Sequence, residues 1–131
     1  LQRISRMASV LIVDDDTEFA AALAANFELM GLTVVVANDG REGLRLLRDG
    51  LRPSAIVLDL DMPSLSGVSF RFGQLANDNV AAIPVVVCSG LREGAHTAHL
   101  MGAAAFLAKP VKAAELLSTV RALAEPSAAA P

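Results

Sequence analysis

The chain has 131 residues, 53% of them apolar and 19% charged, with a formal net charge of -3. That length and apolar content supply one domain with a real core and exclude a disordered chain. The negative balance argues against nucleic acid or an anionic membrane surface as the main partner, because both select basic patches.

Residues 1–7 read as a remnant ahead of a natural start at Met7, and no cleavable signal pattern opens the chain. An apolar run at Ser9-Val13 (SVLIV) predicts the first strand and stops in three aspartates, Asp14, Asp15 and Asp16. A helix is predicted next, with Phe19, Leu23, Phe27 and Met30 as its apolar stripe, Asp16 as its cap and Gly31 at its left-handed end. Strands follow at Thr33-Ala37 (TVVVA), Ala55-Leu58 (AIVL), Ile83-Cys88 (IPVVVC) and Ala104-Ala108 (AAFLA). Helices are predicted between them at 40–50, 66–77 and 91–101, despite Gly43, Gly73 and Gly94, each of which costs about 1 kcal/mol of helix propensity relative to Ala. Leu116, Leu117, Val120 and Leu123 mark a last helix, and 125–131 read as a flexible tail or linker.

Runs that are apolar throughout and rich in Val and Ile predict strands covered on both faces. Alternation of five strands with five helices then predicts a doubly wound α/β fold, a parallel sheet with right-handed crossovers, over residues 8–124. Arg41, Arg45, Arg48 and Arg52 share a helical spacing and predict a solvated outer face. Cys88 has no partner for a disulfide, and no apolar stretch reaches the roughly 20 residues that span a bilayer, so a cytoplasmic protein is expected.

In an open parallel sheet the functional crevice lies beyond the carboxyl ends of the strands, where strand order reverses. Asp14 and Asp15 follow the first strand, Asp59 and Asp61 the third, Ser89 the fourth and Lys109 the fifth. Five of the eight aspartates lie within three residues of two strand ends, a concentration that repels itself unless a cation is bound. One cap accounts for Asp16 and leaves the others over. Hard oxygen donors with few alternatives suit Mg2+. A metal site, a lysine and a hydroxyl around one carboxylate form an electrostatic cradle for a transferring phosphoryl group, with Asp59 as the nucleophile, already ionised at neutral pH. A compact ammonium at Lys109 suits a point contact to a phosphoryl oxygen.

IVDDD, LDLDMPSLSG, VVVCSG and FLAKP, in this order, resemble the receiver domain of bacterial two-component response regulators. The resemblance implies a five-stranded sheet of order 2-1-3-4-5 with helices on both faces. It implies Asp14 and Asp15 as the acidic pair and Asp59 as the phosphorylated residue. Ser89 is then the switch hydroxyl, Phe106 the reorienting aromatic and Lys109 the catalytic lysine. Mg2+ is held by Asp14, Asp15 and Asp59, with the backbone carbonyl of Asp61. The implied partners are a sensor histidine kinase or phosphotransfer protein upstream, and a protein docking on residues 91–123 downstream, with a phosphorylation-linked homodimer within the family's range. No nucleic acid or membrane contact of this chain is implied. The loop MPSLSG departs from the commoner form with Gly and Asp after the proline, while Met62, Pro63 and Gly67 remain.

DLD at 59–61 is also similar to the Asp-x-Asp of haloacid-dehalogenase phosphatases, but there the nucleophile precedes the acidic metal pair, and here it follows. A pseudo-receiver adaptor without phosphorylation is the other alternative, and it usually lacks an acidic or lysine position that this chain retains. His96 and His99 read as ordinary residues of a partly exposed helix.

By the same resemblance, residues two beyond the acceptor and two beyond the switch hydroxyl, Asp61 and Leu91, govern water access to the phosphorylated carboxylate. Leu91 has no polar atom to orient a water, and its bulk covers the approach. Leu91→Gln is therefore expected to shorten the phosphorylated lifetime without weakening Mg2+ binding, measured as loss of the phosphoryl mass with time.

Overall fold

A computed structural model describes residues 8–124; the remnant and tail expected at the two ends lie outside the described residues. In chain order the elements are β1 (Ser9–Val13), α1 (Thr17–Leu29), β2 (Thr33–Ala37), α2 (Gly40–Arg48), β3 (Ala55–Leu58), α3 (Gly67–Leu75), β4 (Val85–Ser89), α4 (Gly94–Leu100), β5 (Ala105–Ala108) and α5 (Ala113–Ala124). The strands form one parallel sheet of order β2-β1-β3-β4-β5. No helix among the described residues is long and apolar enough to cross a membrane.

Although the strands are apolar throughout, their side chains divide by the two-residue period of the pleat. Leu11, Val13, Ile56, Leu58, Val85 and Val87 face one core with Leu47 of α2, Phe70 of α3, and Ala98 of α4. Val10, Ile12, Ala55, Val57, Val86 and Cys88 face the other, with Leu23 and Phe27 of α1 and Leu116 and Val120 of α5. The central strands β1, β3 and β4 are almost wholly buried, whereas the edge strands β2 and β5 are only partly so. The partial exposure fits the polar start of β2 at Thr33 and the alanine-rich run of β5.

Local chemistry sets the element ends. Asp16 caps α1 by accepting from the Phe19 amide at 3.0 Å, as expected. Asp39 caps α2 through the Glu42 amide at 2.8 Å, and Glu42 reaches back to the Asn38 amide at 2.8 Å, so two orphan donors of the helix start are satisfied together. At the end of α1, Gly31 takes φ +92° while its amide and that of Leu32 return to the carbonyls of Glu28 and Phe27.

The expected boundaries shift in physically legible ways. β4 begins at Val85, not Ile83, because Pro84 has no N–H to give a ladder, and it extends to Ser89, which pairs with Ala108. α4 shrinks to seven residues and has no side-chain cap at its start. Met30, expected on the buried stripe, caps the end of α1 half exposed, and Ala20 takes the buried place one turn before Leu23 and Phe27. The four arginines from Arg41 to Arg52 are all exposed, as their spacing implied.

One polar network had no signal in the sequence. Arg71 of α3 is buried, and no carboxylate pairs with it among the described residues. Its guanidinium instead donates to the carbonyls of Met101 (2.9 Å) and Gly102 (3.0 Å), at the end of α4, and to Gln74 Oε1 (2.8 Å). Gln74 passes the chain on to the carbonyls of Val80 and Ile83, both at 3.0 Å. Helix carbonyl ends carry partial negative charge, which is what makes a buried guanidinium tolerable here. Arg71→Met leaves two buried acceptors and one part-buried acceptor without this donor and is expected to destabilise the fold by about 2–4 kcal/mol, read as a lower urea midpoint at unchanged slope.

Candidate functional site

The carboxyl ends of β1, β3, β4 and β5 open on one side of the sheet, and strand order reverses between β1 and β3, so Asp14, Asp15, Asp59 and Lys109 meet there. They line an open cleft of about 340 Å³ with Asp16, Asp61, Gly90 and Leu91. Asp14 and Asp59 are buried, 2% and 6% exposed, whereas Asp15 and Asp61 are exposed. Carboxylate oxygens of Asp14, Asp15 and Asp59 lie within 4.8 Å of one another, a set of hard donors with the size and chemistry of a divalent-cation site.

Lys109 closes the group. Its Nζ donates to Asp14 Oδ2 at 2.9 Å and stands 3.7 Å from Asp59 Oδ1. Asp14 Oδ1 accepts from the Asp16 amide at 2.9 Å, so both oxygens of the more buried carboxylate are engaged. Burial opposes charge on Lys109, but the hydrogen bond to Asp14 and the attraction of Asp14 and Asp59 outweigh it and raise its pKa above the ordinary lysine value.

Asp59 behaves differently. Burial, and then the Asp14 charge, push its carboxyl from 3.8 up to about 6, with Asp15 adding a little; Lys109 and a backbone hydrogen bond from Asp61 pull the other way without prevailing. The central carboxylate is the least comfortable charge of the cluster and the best placed to be neutralised by a ligand. It is still mostly ionised at neutral pH, as the sequence implied.

Asp59 is held by close backbone packing as well. Gly67 opens α3 directly against it: an added Cβ would stand 2.3 Å from the Asp59 carbonyl oxygen and 2.8 Å from the Leu60 Cα. Only a residue without a side chain lets the loop 60–66 fold back this tightly, which is a reason for Gly67 to remain in MPSLSG.

Ser89 and Phe106 occupy the flank toward α4. Ser89 is 1% exposed and does not line the cleft; its Oγ accepts from the Leu91 amide at 3.0 Å. Phe106 is half-buried, and its ring packs over Gly94, where an added Cβ would come within 2.9 Å of the ring and 3.4 Å of the Ser89 Cβ. The hydroxyl and the aromatic thus meet the same residue of α4. Cys88, on the opposite face of β4, has its thiol pushed up to about 11 by burial, so it is inert. His96 and His99 are exposed on α4, away from the acidic cluster.

A doubly wound α/β domain with an acidic crevice and one lysine at the carboxyl edge of its sheet is the class these features define. The response regulator receiver domain family model matches residues 10–121, and the chain belongs to that family, the phosphoryl-receiving modules of two-component systems. It is 40% identical over 114 residues to the transcriptional regulatory protein PrrA of Mycobacterium tuberculosis, covering 87% of this chain and 48% of that protein. It is 30% identical over 117 residues to the transcriptional regulatory protein CpxR of Escherichia coli, covering 89% and 49%. The chain therefore spans about half the length of the curated relatives it matches. Among solved structures, a Francisella response regulator receiver domain superposes with a TM-score of 0.79 at 31% identity, covering 89% of this chain and 96% of that one. The chemotaxis protein CheY4 of Vibrio cholerae gives 0.81 at 27% identity, covering 89% and 98%.

The raised pKa of Asp59 has a consequence for stability in the absence of metal. Between 3.8 and about 6 the folded chain binds more protons at this group than the unfolded one, so its contribution makes stability fall as pH rises through that window and level off above it. A shift of this size corresponds to roughly 2–3 kcal/mol. Asp59→Asn is expected to be more stable than the parent at pH 7.5 in chelator and to flatten the fall between pH 4 and 6, both measured by urea unfolding across pH.

Proposed function

We propose that Asp59 accepts a phosphoryl group from a phosphohistidine of a sensor histidine kinase or phosphotransfer protein. The observation that carries this reading is the placement of Asp59 at the centre of the cluster, with Asp14 and Asp15 beside it and the Lys109 ammonium at 3.7 Å. An Asp59 oxygen attacks phosphorus as the phosphorus–nitrogen bond to the donor imidazole breaks, and the ring nitrogen keeps the electron pair. Lys109 neutralises a phosphoryl oxygen, and the Ser89 hydroxyl, released from the Leu91 amide, donates to another.

The residues fit Mg2+: the carboxylate oxygens of Asp14, Asp15 and Asp59, hard donors within 4.8 Å of one another, would hold it. The carbonyl of Asp61 completes the protein's share of that set. When bound, the ion supplies charge neutralisation of the incoming phosphoryl oxygens. The chain's own residues then do the rest: Asp14 anchors Lys109, Gly67 holds the Asp59 backbone, and Leu91 and Asp61 border the approach of water.

Ser89 and Phe106 both rest on Gly94, at the uncapped start of α4, so a displacement of the hydroxyl is felt there first. The output surface of this reading comprises α4, β5 and α5 within residues 91–123, and its partner is a further segment or protein that controls transcription, the role named for PrrA and CpxR. A kinase that phosphorylates a two-component regulator works in the cytoplasm, and we place the chain there.

Incubation with Mg2+ and a small acyl phosphate, followed by intact mass measurement, is expected to add one phosphoryl group to the parent and to Asp61→Asn, and none to Asp59→Asn. Labelling of Asp59→Asn would overturn the assignment.

A further inference from the structure

Lys109 makes one contact that belongs to neither the carboxylates nor the backbone. Its Nζ lies 4.5 Å from the centroid of the Phe19 ring, within the range of a cation–π interaction. Phe19 is the third residue of α1, half-buried at the margin of the core beneath α1 and α5. Its backbone is fixed at this point by Asp16, whose Oδ1 accepts the Phe19 amide at 3.0 Å. A single local device therefore connects the aspartate run to the lysine at the other end of the chain: Asp16 caps α1, the cap sets Phe19, and the ring of Phe19 meets the ammonium of Lys109.

Three groups share that ammonium: Asp14 at 2.9 Å, Asp59 at 3.7 Å and the ring. Two of the three belong to the donor set for a divalent cation. Asp14 already accepts on both oxygens, Oδ1 from the Asp16 amide and Oδ2 from Lys109, so a cation drawing on Asp14 shares an engaged oxygen and draws its negative charge away from that bond. Of the groups around Nζ, only the Phe19 ring keeps its hold whatever happens at the carboxylates. It attracts the charge without neutralising it, and its apolar bulk excludes water from one side of the ammonium.

We infer that Phe19 is a positioning residue for Lys109, holding the ammonium over Asp59 when Asp14 is engaged elsewhere. The inference deepens the phosphoacceptor reading and rests on it for its effect on rate, while the contact itself is independent of that reading. Strength of the interaction scales with the negative face of the ring, so fluorines that withdraw that charge stepwise on a ring of nearly the same size weaken it while leaving the packing of α1 in place.

The test places phenylalanine, 4-fluoro-, 3,5-difluoro- and 3,4,5-trifluorophenylalanine at position 19 in turn, with Phe19→Met and Phe19→Tyr beside them, all checked for unchanged melting temperature and Mg2+ affinity. Two readouts are taken. Protons on the carbon next to Lys109 Nζ, over an aromatic face, resonate upfield; the rate of phosphorylation by an acyl phosphate in saturating Mg2+ reports positioning. The expected result is an upfield shift in the parent and in Phe19→Tyr, with and without Mg2+, which is absent in Phe19→Met. With it goes a rate that falls stepwise along the fluorinated series by about three- to fivefold and is retained in Phe19→Tyr. A Lys109 shift equal in the parent and Phe19→Met, or a rate flat across the series, overturns the inference. Absence of labelling in the parent itself overturns the phosphoacceptor reading instead, and the shift then decides the ring contact alone.

Discussion

The hydrogen bond between Lys109 and Asp14 is the interaction on which the rest of this site depends. Asp14 is almost fully removed from water, and beside the Asp16 amide its carboxylate has as its partner an ammonium carried from the far edge of the sheet, at 2.9 Å. That bond ties the end of β1 to the end of β5, across two intervening strands, and so makes a single site of residues 95 positions apart. It also leaves Asp59, one strand over, with only a more distant share of the same charge, and a carboxyl displaced toward its neutral form. The sharing is uneven: Asp14 has the closer bond to the ammonium and Asp59 the more distant one.

The surroundings of Asp59 are correspondingly rigid on one side and loose on the other. Toward α3, Gly67 brings the backbone into direct contact, and Phe70 is buried just beyond. Toward α4 lie the Ser89 hydroxyl, which accepts from the Leu91 amide, and the Phe106 ring over Gly94. α4 itself is fastened asymmetrically. Its end is closed by Gly102 at φ +72° and by the Arg71 guanidinium on the Met101 and Gly102 carbonyls, whereas its start has no side-chain cap. A short helix held by side chains at one end and without a side-chain cap at the end near Ser89 is the element of this fold easiest to displace from the crevice side.

Much of this was legible in the residues. Uniformly apolar runs announced buried parallel strands, and aspartates stacked at strand ends announced a site, because their mutual repulsion has no structural benefit. The cap role of Asp16 and the left-handed position of Gly31 follow from interactions within four residues, and sequence order contains those in full. Boundaries were less legible where a rule about one residue met a pairing partner elsewhere: Pro84 delays β4, and Ala108 extends it to include Ser89.

Sequence by itself determined the fold class, four of the five strand ends and the residue types gathered there, since these depend on local periodicity and on the general geometry of parallel sheets. Only the tertiary structure decided how the charges are shared: that Lys109 lies closer to Asp14 than to Asp59, that Phe19 covers the ammonium, that the buried Ser89 hydroxyl accepts from the Leu91 amide, and that Arg71 is spent on helix carbonyls instead of a carboxylate. Those outcomes turn on differences of an ångström between side chains brought together from distant parts of the chain, and a Coulomb energy or hydrogen bond changes over that distance by more than any local pattern can specify.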